Sequence, residues 1–411
     1  MIRKALLLKV FDAAYMQRWN DKIRPVEFTE LDKQAHKMII AYFLGKFQEH
    51  EEGFNWIDLI EWGFFELLQR IVVTDLKPPI FYKIKADRDK YRKLNEWVFQ
   101  QLDPVLSPLG ESFRRRFQAS FDNTRATLTR KVLDCAHILA TKWEFDILER
   151  ANPNGYEIEE IRLRLEEKQD EYGQLTGMQQ LRENQHYRNF IDLCGQLRFQ
   201  ARWAHIHRIP RTSVLGHLLI VAVFTYLFSL ELNACPRRCV NNYFTGLFHD
   251  LPEVLTRDII SPVKSSVEGL RELIKDYEKE MMEKEVYGLI PSAWHSDIRL
   301  FTENEFQGMV RIDGRLQEAS SLEINSRYNE NRFEPRDGDI VRAADCLAAF
   351  IEAYIATRNG SASPDLHEAK LSIKSQYEKA NIASTGNLDG IHTDQPPIQL
   401  HGHVFAKQES V

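Results

Sequence analysis

Cysteine, excess basic charge and alternating strand-like patterns are all scarce in this chain of 411 residues. The five cysteines are odd in number, and no two have the two-residue spacing of a zinc or redox motif, so we expect reduced thiols and a cytoplasmic protein. The 54 basic residues are outnumbered by 60 acidic ones, and the net charge of −6 argues against a surface built to bind nucleic acid. The first residues hold too short an apolar run for a signal peptide and no small-residue cleavage site.

One segment approaches the length of a membrane span. The 17 residues from Val214 to Leu230 carry no formal charge. They include His217 and several small or polar residues, and Arg and Glu flank them closely. These features predict a buried core helix and no membrane partner.

Helical periodicity dominates the chain. Apolar residues recur at three- and four-residue spacing in six segments, whereas alternating β-branched stretches bounded by turns are scarce. The six segments are 32–47, 56–73, 127–148, 187–202, 214–232 and 338–356. An all-α fold is therefore predicted, and a hydrophobic content of 43% is enough to form buried cores.

The length predicts two domains, which we place at residues 1–150 and 187–382. Residues 151–186 between them are highly charged with a thin apolar stripe, which predicts a solvated helical linker. Residues 383–411 are rich in Gly, Asn, Asp, Gln and Pro and have little periodicity, so we predict a loosely ordered tail.

The two halves resemble each other in three blocks that occur in the same order. The matched blocks are Arg18-Trp19 and His36 with Arg202-Trp203 and His217, residues 63–79 with 246–262, and residues 131–136 with 342–347. The last block places Asp134 opposite Asp345. Each block alone is weak, but three in order predict a duplication.

Four side chains of the C-terminal half form a candidate set of metal ligands. They are His217, His249, Asp250 and Asp345, and the His-Asp pair follows the first histidine by 32 residues. A lone histidine on an apolar helix is usually a core residue, so the ordered set carries the inference. Two imidazoles and two carboxylates suit one divalent transition metal, Mn, Co, Fe, Ni or Zn, with Mg less favoured. Such an ion lowers the pKa of a coordinated water and polarises phosphorus.

This ordered set is the ligand pattern of the HD superfamily, which the C-terminal half resembles. The sequence FHDLPEVLTRDIISPVK (248–264) is similar to the signature of bacterial HD-domain 5′-deoxynucleotidases, the YfbR-like group. Arg202-Trp203 and GDIVRAADCLAAFIEA (338–353) resemble two further elements of that group, and the likeness covers residues 187–358. It implies an all-helical domain that removes phosphate from deoxynucleoside 5′-monophosphates with a bound divalent metal.

The resemblance also implies a role for each matching residue. The metal ligands would be His217, His249, Asp250 and Asp345. Arg202 would hold the substrate phosphate, for which its planar fork of donors is suited. Trp203 would stack on the base or simply pack. Glu253 and Asp258 would share the general acid–base steps, or serve only as a helix-end charge and cap.

Two features depart from the pattern of that group. Gly216 stands where the group usually has an acidic residue before its first histidine ligand. The residues between the Arg-Trp pair and that histidine also differ, and they read AHIHRIPRTSVL. We expect these positions to face the ribose and the base, so the sugar and base preference stays open.

The N-terminal half has Glu66-Leu67 where His249-Asp250 would stand. It keeps the other matched positions, which are Arg18, Trp19, His36, Asp75 and Asp134. Leucine cannot bind a metal ion, so we predict a degenerate HD-like domain. Its role would be structural, packing on the active half as a second subunit does in a dimer, or regulatory, with a retained nucleotide pocket. The structural role is favoured.

The leading hypothesis is a metal-dependent phosphohydrolase that acts on a small nucleotide. One alternative is an HD hydrolase of another phosphoester, such as a cyclic nucleotide, a nucleoside triphosphate or an alarmone. Another is a non-catalytic nucleotide-sensing protein, against which the intact ligand set argues. The chain would form a pseudo-dimer by itself, and a homo-oligomer is a further assembly that the sequence allows.

Overall fold

The computed structural model describes residues 4–74, 76–121, 127–259, 263, 266–377, 381–382 and 398–399. The chain divides into two compact units, which we call the N-terminal unit (Leu8–Gly195) and the C-terminal unit (Met1–Leu7 with Gln196–Val411). Helices form most of both units, and the strands among the described residues occur as two-stranded ribbons. The all-α prediction is thus confirmed.

The N-terminal unit begins within helix α1 (Lys4–Phe11) and a short antiparallel ribbon, β1 (Gln17–Arg18) with β2 (Phe28–Thr29). Its helices are α2 (Glu30–Gln48), α3 (Trp56–Val73), α4 (Pro78–Ala86), α5 (Arg88–Leu106), α6 (Glu111–Ala119), α7 (Leu128–Ala151), α8 (Ile158–Asp170), α9 (Thr176–Glu183) and α10 (Gln185–Gln196). Side chains cap several of these helices, as Thr29 does at α2 and Asn55 at α3.

The C-terminal unit is built around three helices. Its helices are α11 (Val214–Glu231), α12 (Pro236–Phe248), α13 (Glu253–Thr256), α14 (Leu270–Met281), α15 (His295–Thr302), α16 (Ser321–Arg327), α17 (Gly338–Arg358) and α18 (Pro364–Tyr377). Its strands are β3 (Met309–Ile312), β4 (Arg315–Glu318), β5 (Asn381–Ile382) and β6 (Ile398–Gln399), paired β3–β4 and β5–β6. Helix α11 packs against both α12 and α17.

Helix α11 is apolar on every side, which is typical of a helix at the centre of a fold. Ser213 caps its first turn by accepting a hydrogen bond from the Gly216 backbone N–H. The helix is long and apolar enough to cross a membrane, yet 89% of this stretch is buried within the protein. Burial of that extent is what the sequence predicted for a core helix.

Five of the six predicted helical segments match single helices closely, whereas the segment 187–202 ends early. Helix α10 stops at Gln196 and a 3-10 turn follows at Leu197–Phe199. The chain then turns away, because the Arg202 N–H donates to Thr212 O at 2.9 Å and the Val214 N–H to Gln200 O at 2.9 Å. This pairing places the Arg-Trp pair in a loop that returns to the start of α11.

The charged region 151–186 contains helices α8 and α9, which lie within the N-terminal unit. Its thin apolar stripe is buried, since Ile158 and Leu165 pack in one cluster with Phe145 and Leu148. Residues 383–397 and 400–411 of the predicted tail lie outside the described residues. Ile398–Gln399 pairs with Asn381–Ile382.

Gly246 allows α11 and α12 to approach each other closely. A Cβ atom at this position would lie 2.8 Å from the Ala222 Cα and 2.9 Å from the Ala222 N. Both are backbone atoms, so the two helices themselves would have to separate. The corresponding glycine of the N-terminal unit, Gly63, instead faces the flexible end of the Met38 side chain.

We predict that Gly246→Ala lowers the free energy of unfolding by about 1–3 kcal/mol, because overpacking outweighs the gain in helix propensity. Gly63→Ala is the matched control. Its change should stay within about 1 kcal/mol, because the Met38 side chain can repack. Urea denaturation of both variants measures the difference, and an equal loss in the two would contradict the role given to the α11–α12 contact.

Candidate metal centre

Three helices bring the predicted histidine and aspartate side chains to one place. His217 lies one turn into α11, where its backbone N–H bonds to the cap residue Ser213. His249 caps the C-terminus of α12, and Asp345 lies two turns into α17. Because α11 contacts both other helices, the fold gathers residues that are far apart in the sequence.

One ligand atom from each of His217, His249 and Asp345 lies within 4.8 Å of the others. His217 Nε2 is 2.9 Å from Asp345 Oδ1, and His249 Nε2 is 3.2 Å from Asp250 Oδ2. The two imidazoles are almost completely buried, whereas the Asp345 side chain is 27% exposed. The structure therefore brings three of the four predicted ligands into one cluster, and the fourth, Asp250, contacts His249 at its edge.

The hydrogen bonding of His249 suits a metal ligand. Its Nδ1 lies 2.9 Å from Gly246 O, and a carbonyl can only accept, so Nδ1 carries the proton. The other ring nitrogen, Nε2, then faces the cluster and lies 3.2 Å from Asp250 Oδ2. A backbone carbonyl on the far nitrogen is a common way of orienting a metal-binding histidine.

The electrostatics of the cluster point the same way. Burial opposes protonation of His249, but Asp250 and Asp345 outweigh it and raise the pKa of this imidazole to about 9. Burial opposes ionisation of Asp250, but the two histidines and Arg202 hold the pKa of its carboxyl far below the usual range. The carboxylates thus attract positive charge to the imidazoles, and a divalent cation would meet the same demand.

Arg202 lies beside this cluster. Its Nε lies 3.3 Å from Glu352 Oε2, and its Nη1 is 3.8 Å from Asp250 Oδ2. Its terminal nitrogens make no hydrogen bond within the described residues, and its side chain is 13% exposed. The neighbouring Asp258 contributes to raising the pKa of Arg202 although burial opposes this. The guanidinium fork therefore has its terminal donors towards the ligands.

Trp203 has a packed ring. Its indole N–H donates to Glu352 Oε2 at 2.9 Å, and its ring packs against the cluster of Ala353, Ala356 and Leu366. The backbone of Trp203 has a positive φ of 56°, which lets the Arg and Trp side chains meet one carboxylate from adjacent positions. Of the two roles that the sequence left open, the structure displays packing.

Glu253 and Asp258 lie on the short helix α13 and just after it. After Asp250 the chain forms a turn through Leu251 and Pro252, and α13 starts at Glu253. Glu253 is 6% exposed, and its backbone carbonyl accepts a hydrogen bond from Gln200. Asp258 is half-buried near Arg202. Their acid–base role stays a prediction.

Glu352 is a residue of this centre that the sequence reasoning missed. It is 1% exposed and lies seven residues after Asp345, on the same face of α17. Its carboxylate accepts hydrogen bonds from Trp203 and from Thr212 Oγ1 at 2.7 Å, and it lies 3.7 Å from His217 Nδ1. A charged residue within the apolar stretch LAAFIEAYI was the available signal.

Glu352 is held ionised. Burial alone would raise the pKa of its carboxyl, but Arg202 and Arg208 outweigh burial and place this pKa well below the ordinary value. One buried negative charge thus contacts the Arg-Trp loop and approaches the histidine on α11. We conclude that Glu352 fixes the positions of Arg202 and His217 relative to each other.

The part of the chain that matches a known family contains the whole candidate site. Residues 194–374 match the family described as HD domain, and this segment contains every predicted ligand and substrate-binding residue. Comparison with curated proteins gives no match. This match supports an HD-superfamily domain in the C-terminal unit, the general architecture of metal-dependent phosphohydrolases. Its His217/His249/Asp345 cluster is a fitting site for the divalent ion.

We predict that Glu352→Gln weakens metal binding about 10- to 100-fold, the usual effect of removing a partner that orients a ligand. It should also lower the free energy of unfolding by about 1.5–3 kcal/mol, since charge-assisted hydrogen bonds are lost. The matched control is Glu144→Gln in the N-terminal unit, where Glu144 accepts hydrogen bonds from Arg18 and Trp19.

The control should lose comparable stability with unchanged metal affinity. Competition with a chelator gives the affinity, and urea denaturation gives the stability. An unchanged affinity in Glu352→Gln would show that Glu352 has no part in orienting the metal ligands.

Proposed function

We propose that the C-terminal unit removes phosphate from nucleotides, above all from (deoxy)nucleoside 5′-monophosphates. The observation that carries this proposal is the convergence of His217, His249 and Asp345 within 4.8 Å, beside the Arg202 guanidinium. A site with nitrogen and oxygen ligands next to a fork of phosphate-binding donors suits hydrolysis of a phosphate monoester.

His217, His249, Asp250 and Asp345 would hold one divalent ion, of Mn, Co, Fe, Ni or Zn, with Mg less favoured. When bound, the ion supplies Lewis-acid chemistry at the phosphoryl group and lowers the pKa of a coordinated water. Arg202 binds two phosphoryl oxygens through its terminal nitrogens, which keeps the phosphorus in line for attack. Glu352 keeps that guanidinium in place through Nε.

Glu253 and Asp258 are proposed to share the proton transfers. A carboxylate at one of these positions takes a proton from the attacking water, and a carboxyl group delivers one to the leaving 5′ oxygen. Glu253 is 6% exposed, and this burial supports its part by keeping its carboxyl group away from bulk water. Asp258 is the more accessible of the two.

The nucleotide part of the proposal rests on the resemblance around residues 246–264. The loop between the Arg-Trp pair and α11 departs from that pattern, and in this structure Arg208 fills its interior by donating to Pro210 O and Thr212. The choice of sugar and base is therefore the part that experiment has to supply. We further propose a cytoplasmic protein, in keeping with five free cysteines.

A phosphate-release screen tests the function. The metal-depleted full chain would be supplied in turn with Mn, Co, Fe, Ni, Zn and Mg and offered nucleoside and deoxynucleoside 5′-monophosphates. Cyclic nucleotides, nucleoside triphosphates and an alarmone serve as competing substrates. Preferred release from a 5′-monophosphate supports the proposal, preference for another phosphoester assigns the alternative chemistry, and no release from any substrate contradicts the enzymatic role.

We predict that Asp250→Ala abolishes both metal content and turnover, because it removes a ligand and the charge that draws a cation to the histidines. Asp365→Ala serves as the control, since this aspartate lies in the same unit with a side chain that is 60% exposed. Metal analysis and phosphate release should be normal in the control. Full activity of Asp250→Ala after chelation and re-addition of metal would refute the ligand assignment.

We predict that Arg202→Lys lowers kcat/KM about 10- to 100-fold, which corresponds to about 1.5–3 kcal/mol for a lost charge-assisted hydrogen bond. Lysine keeps the charge but loses the fork. The matched control Arg18→Lys in the N-terminal unit should leave kcat/KM within about 2-fold. An unchanged kcat/KM in Arg202→Lys would mean that this residue is only structural. A kinetic effect of Arg18→Lys would favour the regulatory role for the N-terminal unit.

A further inference from the structure

Both units contain the same arrangement of an arginine, a tryptophan and a buried glutamate. In the N-terminal unit Arg18 Nε lies 2.8 Å and Trp19 Nε1 lies 2.9 Å from Glu144 Oε2. Arg202 and Trp203 contact Glu352 in the same way. Trp19 also shares the positive φ of Trp203, 55° against 56°. This arrangement defines corresponding positions in the two units without reference to the sequence alignment.

Counting residues from Arg18 and from Arg202 identifies the N-terminal counterpart of the first histidine ligand, His217. The cap residues Thr29 and Ser213 each lie eleven residues after the arginine, at the starts of α2 and α11. Four residues further on, the position of His217 is taken by Lys33 in the N-terminal unit. His36, the predicted counterpart, is elsewhere, since its Nε2 lies 3.0 Å from Ile191 O and its ring packs edge-on against Trp143.

The other ligand positions follow from the same count. Seven residues before Glu352 is Asp345, and seven residues before Glu144 is His137. Met38 and Ala222 each lie nine residues after the cap of their helix, and they contact Gly63 and Gly246, respectively. The two glycines therefore correspond, which keeps Glu66-Leu67 opposite His249-Asp250. The N-terminal ligand positions are therefore Lys33, Glu66, Leu67 and His137.

The first and last of these four residues contact each other in the N-terminal unit, as their counterparts do in the C-terminal one. Lys33 Nζ is 2.6 Å from His137 Nδ1, a contact equivalent to that between His217 and Asp345. Glu66 Oε2 is 2.7 Å from Lys37 Nζ, and Glu66 Oε1 is 2.5 Å from Arg130 Nη1. The contact between the first and last ligand positions is thus kept although both side chains differ, and Glu66 pairs with two cations.

The two clusters differ in whether side-chain cations balance their carboxylates. The C-terminal cluster has two carboxylates, and the counterparts of Lys37 and Arg130 there are the uncharged Val221 and Gly338. The N-terminal cluster has lost the carboxylates at positions 67 and 137 and has gained two cations that pair with Glu66. Asp134 also lies near Glu66, and burial and Glu66 together raise the pKa of its carboxyl. Fixed side-chain cations balance the cluster.

We propose that the N-terminal unit contains a second metal site whose divalent ion has been replaced by side chains, with Lys37 and Arg130 supplying the charge and Lys33 filling the first ligand position. This inference rests on the metal centre assigned to the C-terminal unit. The replaced site takes no ion as it stands, and the ligand class that it would accept after reversion is a divalent first-row transition metal.

Reversion of the site is the sharpest test. The reverted chain carries Lys33→His, Lys37→Val, Glu66→His, Leu67→Asp, Arg130→Gln and His137→Asp in an Asp250→Ala background, which disables the C-terminal site. We expect one Co²⁺ per chain, with the visible absorption of a coordinated cobalt ion, where the Asp250→Ala parent has none. A parent that already binds one ion would count against the C-terminal assignment, and the reverted chain would then be judged by whether it gains a second.

A comparison variant separates the structural register from the register read from the sequence. In the same Asp250→Ala background it carries only Lys37→Val, Glu66→His, Leu67→Asp and Arg130→Gln, so that His36 and Asp134 would complete the ligand set if the sequence register were right. We expect no ion in this variant. An ion bound here, or a folded reverted chain that gains none, would overturn the proposal.

Smaller changes decide the matter if the reverted chain does not fold. Lys37→Met and Glu66→Gln should each lower the Tm of the N-terminal unit by roughly 5–15 °C, because each leaves a buried charge with fewer partners. The double variant Lys37→Met/Glu66→Gln should recover at least half of the summed loss. Singles without effect, or fully additive losses, would overturn the replacement of an ion by Lys37.

Discussion

A buried carboxylate that accepts hydrogen bonds from an Arg-Trp pair is the interaction on which each unit depends. In the C-terminal unit it joins the loop before α11 to the middle of α17, and it approaches His217 on its remaining side. Removing one partner of such a buried pair costs several kcal/mol, because the other is left without compensation. The carboxylate therefore fixes the loop, the helix and the first histidine as one piece, and the metal centre is assembled on that piece.

Charge balance distinguishes the candidate metal centre from the N-terminal cluster that we propose as its counterpart. Two carboxylates in a poorly solvated place attract protons onto the neighbouring imidazoles, which is why the pKa of His249 rises to about 9. In the N-terminal unit, burial alone would raise the pKa of Glu66, but Lys37 and Arg130 outweigh it and bring the pKa to about 2. The C-terminal cluster attracts a cation, whereas in the N-terminal cluster Lys37 and Arg130 already balance Glu66. Ligand geometry alone would not have distinguished them.

The sequence was sufficient for the helices and for the cluster in the C-terminal unit, because each rests on a pattern that physical chemistry makes specific. Apolar periodicity located the helices, and the ordered His, His-Asp and Asp set located the cluster. The register that we propose for the N-terminal unit differs from the one read from the sequence by about one helical turn at both ends, since His36 and Asp134 lie three residues from Lys33 and His137. A shift of three residues keeps the same helical face, so periodicity does not detect it.

Glu352 escaped prediction for a related reason. Its importance comes from partners 140 and 150 residues away, and these contacts exist only after the chain folds. The same holds for the end of α10, where backbone pairing between residues 200–202 and 212–214 overrides helical propensity. Local patterns report local preferences, whereas these features are set by tertiary contacts.

The guanidinium groups of Arg18 and Arg202 differ in how many of their donors are already bonded. Arg18 donates through Nε to Glu144 and through Nη1 to Glu30 at 2.8 Å, so both ends of its guanidinium are occupied. The residue that corresponds to Glu30, one position after the helix cap, is Val214 in the C-terminal unit. Valine cannot accept a hydrogen bond, and the terminal nitrogens of Arg202 therefore keep their donors for another acceptor. A phosphate group is the acceptor that the proposed function assigns to these donors, whereas the terminal donors of Arg18 already include one that binds the Glu30 carboxylate.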